Sequence, residues 1–299
     1  MDWKSRVLSW RRYWPAWLSA ILLMLAFPPV NFSLLVFVAL APLMGFLRVC
    51  DAKESRRAGY IFGFLFFAHQ MVWLLPFVQQ WTGSYALAAV PWIITAFLAG
   101  FFYALAAWLS HVCWKQNRPW LIPIVWVAIE GFRAYLPYLA FPWGITALPL
   151  WQFPYLAQSA AFGTIFMTSA WLVLGNVLIS IFLFPPKGEN FDKLPFGRVG
   201  VRMGMAFLAI LIISGLRFAT RPETQTVTMV VGQPGVDLAY TPDTDRPRLL
   251  QEAARQIIST SLAVDSQLTI FPEGFAPASH SLPPNNPIGP VPPVPVMFG

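Results

Sequence analysis

The sequence predicts a multi-span α-helical membrane bundle of about seven transmembrane helices, followed by an incomplete α/β domain outside the membrane. Three observations carry that expectation. Hydrophobic residues fill 57% of the 299 positions and charged residues only 11%, against about half and about a quarter in globular domains. Lys and Arg fall in short clusters between apolar runs. From Gln225 onward those runs give way to a strand, helix, strand pattern. The net charge of +7 is therefore topology information. No basic face interleaved with aromatic residues points to nucleic acid, and none is expected as a partner.

The N-terminal "MDWKSRVLSWRRYW" and the apolar run after it imitate a signal peptide, but no small-residue cleavage site follows, so a retained signal anchor is expected. Crossing about 30 Å of hydrocarbon takes roughly 20 mainly apolar residues. Seven segments are assigned on that basis: Trp14 to Val30, Phe32 to Leu47, Ala58 to Val78, Tyr85 to Trp114, Trp120 to Tyr135, Tyr155 to Phe184 and Val199 to Arg217. The first two are short and meet at Pro28-Pro29, as in a tight helical hairpin.

Every second connection is basic. Lys4, Arg6, Arg11 and Arg12 precede the first span; Arg48, Lys53, Arg56 and Arg57 follow the second; Lys115 and Arg118 follow the fourth; Lys187, Lys193 and Arg198 follow the sixth. Positively charged short loops stay in the cytoplasm, which places the N-terminus inside and everything after Arg217 outside. The domain limits are then 1–220 for the membrane bundle and 224–299 for a partial extracytoplasmic domain.

In that second domain "TVTMVVGQP" reads as a strand with Val227, Met229 and Val231 on one side. A helix follows over "RPRLLQEAARQIISTSLA", with Leu250, Ala253, Ile257 and Leu262 at helical spacing, Thr244 or Asp245 as its cap and Pro247 in the first turn. "SQLTIF" is a mostly buried second strand, and "VPVMFG" begins another. The order is a βαβ unit. Fewer than about 80 residues ending on an edge strand bury too small a core to stand alone, so the domain is expected to be incomplete.

Glu273 follows the second strand directly, in "LTIFPEGFAP". Catalytic groups of α/β sheets sit at the carboxyl ends of parallel strands, and apolar neighbours raise a carboxylate toward the range of a general base. The alternative is a solvated turn residue. Glu130 and Arg133 lie three positions apart on the fifth span, share a face and can pair. They form either a polar anchor that holds "YLAFPWG" near the outer mouth, or a structural ion pair with Arg133 extending to the interface. His69 and His111 stand alone in apolar segments, with no partner at metal spacing; Cys50 and Cys113 are expected to be unpaired packing residues. No metal, nucleotide or other cofactor is expected, since neither a Gly-rich phosphate loop nor a His/Cys cluster is present.

The chain resembles the apolipoprotein N-acyltransferase family of bacterial inner-membrane enzymes across essentially its whole length. The resemblance is carried by "LAFPP", "GYIFGFLFFAHQMVWL", "VWVAIEGFRAYLPYLAFPWG", the "QSAAFG…GN" pattern and "LTIFPEGFAP", in that order. It implies a nitrilase-like (carbon-nitrogen hydrolase) αββα domain in the periplasm carrying a Glu, Lys, Cys triad, with Glu273 as the general base. It also implies an acyl group taken from a membrane phospholipid through a thioester and delivered to the N-terminal diacylglyceryl-cysteine of an apolipoprotein. Tyr240 occupies the region where the family places a tryptophan thought to position substrate, and otherwise reads as a loop aromatic. The sequence departs from the family in three places: Val231-Gly-Gln233 stands for Gln-x-Asn, no Lys or Cys follows Glu273, and the closing transmembrane helix is missing. The chain is therefore expected to be the front part of such an enzyme, inactive alone, with the remaining C-terminal part as its partner. The competing expectations are a membrane-tethered amidase or nitrilase, and a non-enzymatic transporter-like protein.

Overall fold

Proline and small residues punctuate the first third of the chain. A computed structural model describes residues 12–137, 140–183, 196–221, 226–236, 241–242, 244–271 and 296–298. α1 (Trp14–Ala26) starts with a proline in its first turn and stops ahead of Pro28-Pro29. A short 3₁₀ turn (Ser33–Phe37) and α2 (Ala41–Val49) follow. The break between them leaves backbone groups that a helix would have paired, and inside an apolar bundle these need partners. Asn176 supplies them: its Oδ1 accepts from Leu40 N–H at 2.8 Å and its Nδ2 donates to Val36 O at 2.9 Å. The Ser19 hydroxyl accepts from Leu43 N–H in the same way at 2.9 Å.

α3 (Ala52–Gln70) opens on a capping box, with Asp51 accepting from the N–H groups of Lys53 and Glu54 and Glu54 accepting from Asp51 N–H. Arg12 pairs with Glu54 at 2.8 Å. α4 (Leu74–Thr82) continues the direction of the chain at 55° to α3. α5 (Tyr85–Lys115) lies against α3 so closely that a Cβ at Gly59 would stand 2.3 Å from the Tyr103 carbonyl oxygen. Small residues permit such approach between apolar helices. α6 (Ile122–Tyr135), α7 (Ala160–Leu183) and α8 (Phe196–Ala219) complete the first unit. α7 is broken at Gly163 and Thr164, and the Ser159 and Thr168 hydroxyls, 2.8 Å apart, bridge the break.

Helix thus occurs within each of the seven apolar segments, yet length separates them. Among the described residues three helices are long and apolar enough to cross a membrane: Tyr85–Lys115, Ala157–Leu183 and Arg198–Ala219, with α3 and α4 together a fourth if the bent pair is one span. Trp14–Ala26 and Ser33–Val49 are shorter apolar helices. A 13-residue helix such as α1 reaches only about 20 Å at 1.5 Å per residue.

The chain divides into two compact units, Met1–Arg221 and Pro222–Gly299. In the second, β1 (Met229–Val231), β2 (Leu268–Phe271) and β3 (Val296–Phe298) form a parallel sheet in the order β1-β2-β3. α9 (Arg246–Ala263) connects β1 to β2, with Asp245 at its N-cap and a proline in its first turn. Leu250, Ile257 and Ile258 of α9 pack on buried Ala254 and Phe271. Leu262, expected on that stripe, is half exposed; Ser261 is buried in its place and bonds to Thr269 of β2 at 2.6 Å. Val227, Met229 and Val231, on one side of the first strand by sequence, are all exposed.

Candidate functional site

Two places were singled out by sequence, one in each unit. In the second unit all three strands run parallel, so their carboxyl ends share one edge, where α/β sheets place their chemistry. Val231 of β1 stands level with Ile270 of β2, and Gly232 N–H donates to Ile270 O at 2.9 Å, carrying the pairing one residue past β1. Gln233 follows, exposed, at that edge. A Cβ at Gly232 would stand 2.5 Å from the Ile257 side chain, so any other residue here forces that side chain to shift. β2 ends at Phe271, which is 1% exposed. Glu273 comes two residues later in sequence; it and Tyr240 lie outside the described residues.

In the first unit, Glu130 and Arg133 sit on one face of α6 and are each 1% exposed. Their hydrogen bonds go to one segment, 141–146, and not to each other. Thr146 donates twice to Glu130 Oε1, from its backbone N–H at 2.9 Å and from its hydroxyl at 2.6 Å. The Trp126 indole donates to the Thr146 hydroxyl at 3.2 Å. Arg133 Nη1 donates to the carbonyls of Phe141, at 2.6 Å, and of Trp143. The guanidinium also lies over the Phe67 ring, 4.8 Å from its centroid, a cation–π contact in apolar surroundings. Arg133 therefore does not extend to an interface; it clasps "FPWG". Gly144 within that turn has φ +66°, and a Cβ there would meet Phe66 and Phe67 at 3.0 Å, so both backbone and space call for glycine. Ala147 N–H donates to Ser169 of α7, tying the same segment to a second helix.

This arrangement positions a loop and offers no nucleophile. Neither cysteine supplies one: both are free and buried. Cys50 lies 3.9 Å from His111 Nδ1, but that nitrogen is 2.9 Å from Leu47 O, its shorter contact. Burial, with Glu54 and Asp51 nearby, pushes the Cys50 thiol up to about 12, the opposite of an activated thiol. Among the described residues no group of three or more His, Cys, Asp or Glu could hold a metal ion. Thr146, Ser169 and Trp126 are the parts of the anchor that sequence reasoning missed. Hydroxyls and indoles in apolar runs carry no periodic signal, and only the proximity of a buried carboxylate marks them.

The model of the apolipoprotein N-acyltransferase N-terminal domain matches residues 19–178. Among similar proteins, the apolipoprotein N-acyltransferase of Geobacter metallireducens is 25% identical over 285 residues, covering 89% of this chain and 52% of that protein. That of Methylococcus capsulatus is 26% identical over 274 residues, 87% and 50%, and that of Gloeobacter violaceus 26% over 281, 90% and 51%. The chain spans about half the length of the curated relatives it matches. Since the matched domain includes "LAFPP", the Glu130–Arg133 anchor and Asn176, and takes in more than half of the 299 residues, the chain belongs to the apolipoprotein N-acyltransferase family.

Proposed function

We propose that this chain is the membrane-embedded front part of an enzyme that N-acylates the N-terminal diacylglyceryl-cysteine of bacterial apolipoproteins, using a membrane phospholipid as acyl donor. In this reading it crosses the inner membrane seven times with its N-terminus in the cytoplasm, the short helices being completed by their flanking residues. The second unit is the opening of a periplasmic nitrilase-like domain, and Glu273 is its general base. The observation that carries the reading is the parallel β1-β2-β3 sheet, whose middle strand ends at Phe271, leaving Pro272-Glu273 as the next residues in sequence.

The chemistry asked of that carboxylate is removal of a thiol proton, because the thiolate is the nucleophile. The thiolate attacks the ester carbonyl of the phospholipid and a lysine stabilises the tetrahedral oxyanion. Collapse forms the thioester and releases lysophospholipid; the lipoprotein α-amine then attacks the thioester and regenerates the thiol. No Lys or Cys follows Glu273 within the 299 residues, so the reading requires both from further polypeptide. Tyr240 would lie against substrate, and the Glu130–Arg133 anchor would hold the 141–146 turn at the outer mouth.

The test is a Glu273→Gln change in the gene's full reading frame, assayed for transfer of a labelled acyl chain from phospholipid to a diacylglyceryl-cysteine peptide. Loss of at least about 10²-fold is expected for removal of a general base. Full activity of the variant would overturn the role of Glu273, and a full-length protein that transfers no acyl chain but hydrolyses a small amide or nitrile to its acid and ammonia would favour a tethered amidase or nitrilase.

A further inference from the structure

The bundle also holds a concave surface, formed by other residues than the Glu130–Arg133 anchor. α7 and α8 part beside the start of α6 and leave a groove of about 270 Å³, lined by apolar residues that include Trp120, Trp171, Leu174, Met203 and Ile210, and by one charged residue, Arg202. That volume falls just under the ~300 Å³ lower end of small-molecule pockets, and the lining is elongated, spanning two turns of α8 from Arg202 to Ile210. A length of acyl chain fits such a shape better than a compact ligand. Only 11% of the apolar window of α8 is buried, against 39% and 61% for the other two long helices. Trp120 is 49% exposed at the rim, and Arg202 is exposed.

Charge then selects the occupant. Arg198 and Arg202 are four residues apart on α8, on one side of the helix with Cβ atoms about 5–6 Å apart, a spacing at which like charges repel. Neither has an acidic partner within ion-pair distance among the described residues. Two guanidiniums without an acidic partner among the described residues, one lining the apolar groove and the other a helical turn away, are complementary to an amphiphile whose headgroup is negative.

We propose that this groove binds an anionic phospholipid, with one acyl chain along Trp171, Leu174, Met203 and Ile210 and the phosphate between Arg198 and Arg202. Basic pockets between membrane helices on the cytoplasmic side take headgroups of this kind. Assignment to the cytoplasmic leaflet rests on the orientation proposed above; the preference for negative charge does not.

The test uses the purified protein in nanodiscs of phosphatidylcholine doped with photoactivatable phosphatidylglycerol or, separately, photoactivatable phosphatidylcholine. After irradiation, adducts are located by peptide mass spectrometry. Adducts on 167–174 and 203–210 should be several-fold more abundant with phosphatidylglycerol. Arg202→Gln should lower that labelling about fivefold, the effect of one basic side chain near an anionic surface, and leave phosphatidylcholine labelling unchanged. Ala206→Trp, which fills the groove, should remove both signals there. Equal labelling by the two lipids, or phosphatidylglycerol labelling indifferent to Arg202→Gln, would overturn the proposal. Both leaflets of the nanodisc hold the same lipids, so an inverted orientation or an inactive enzyme leaves these outcomes readable.

Discussion

Arg133 holds a charge inside an apolar bundle, and its effect on stability lies in the two carbonyls it clasps, those of Phe141 and Trp143. Arg133→Ala leaves both carbonyls and the buried Glu130 carboxylate without a cation. A loss of about 3–5 kcal/mol is expected for removing one partner of a buried charged set, read as a fall in the thermal midpoint of the purified protein in detergent. Arg133→Lys should recover only part of it, because an ammonium lacks the planar fork. Asp51, at the surface, provides a pH signature. The N–H of Glu54 in the first place, and that of Lys53, hold its carboxyl below the ordinary carboxylate range. A carboxyl depressed in the folded state contributes stability above its unfolded value, near ~3.9, and loses it as pH falls through the folded one. Asp51→Ala should therefore lower the thermal midpoint at pH 7, and the gap to the parent should narrow at pH 3. Glu130 and Arg133 were legible in the sequence because charges are rare within spans. Their partners were not, since Thr146 lies 16 residues from Glu130 along an aperiodic loop.

At the scale of elements, the contact between α3 and α5 is built on glycine. Gly63 lies against the Tyr103 side chain, where a Cβ would stand 2.7 Å from Tyr103 Cβ and 2.8 Å from its ring, and Gly59 meets the Tyr103 carbonyl. Gly63→Leu should force the helices apart and cost about 1–3 kcal/mol of overpacking, seen as a lower thermal midpoint with an unchanged helical spectrum. Gly63→Ala should fall between the two. The four-residue spacing of Gly59 and Gly63 can be read from the sequence as a close-packing face; the choice of Tyr103 as its partner cannot. Helix breaks divide in the same way. Pro28-Pro29 announces the end of α1, whereas the break at Gly163 and Thr164, where Thr164 takes φ +60°, follows no proline. The Trp92 indole, donating to Ala68 O at 2.7 Å near the end of α3, is likewise a contact between elements with no local signature.

For the whole molecule, the two units differ in how much they bury. The first has an extended core built around Phe62, Phe66, Phe67, Tyr103 and Trp126. The second, among its described residues, centres on Ala254 and Phe271 with Leu250, Ile257 and Ile258 against them. Met229 and Val231 stay exposed on β1. A core of that size does not offset the conformational entropy of a segment of fewer than about 80 residues. Residues 222–299 expressed alone should show no cooperative thermal transition by circular dichroism and poor dispersion of amide resonances. A sharp transition would show that the unit carries a fuller core than this.

The sequence by itself determined the position of every apolar segment, the alternation of basic and uncharged connections, the change of character near residue 220 and the βαβ order after it. All of these depend on composition and short-range periodicity, which act within a few residues. The tertiary structure alone decided how the broken helices are sealed and what the buried charges hold. Asn176 closes the gap before α2 from 136 and 140 residues away, and Arg133 turns from its helical neighbour Glu130 to the loop beyond. In an apolar surrounding every polar group must find a partner, but which partner is set by the packing that brings distant segments together.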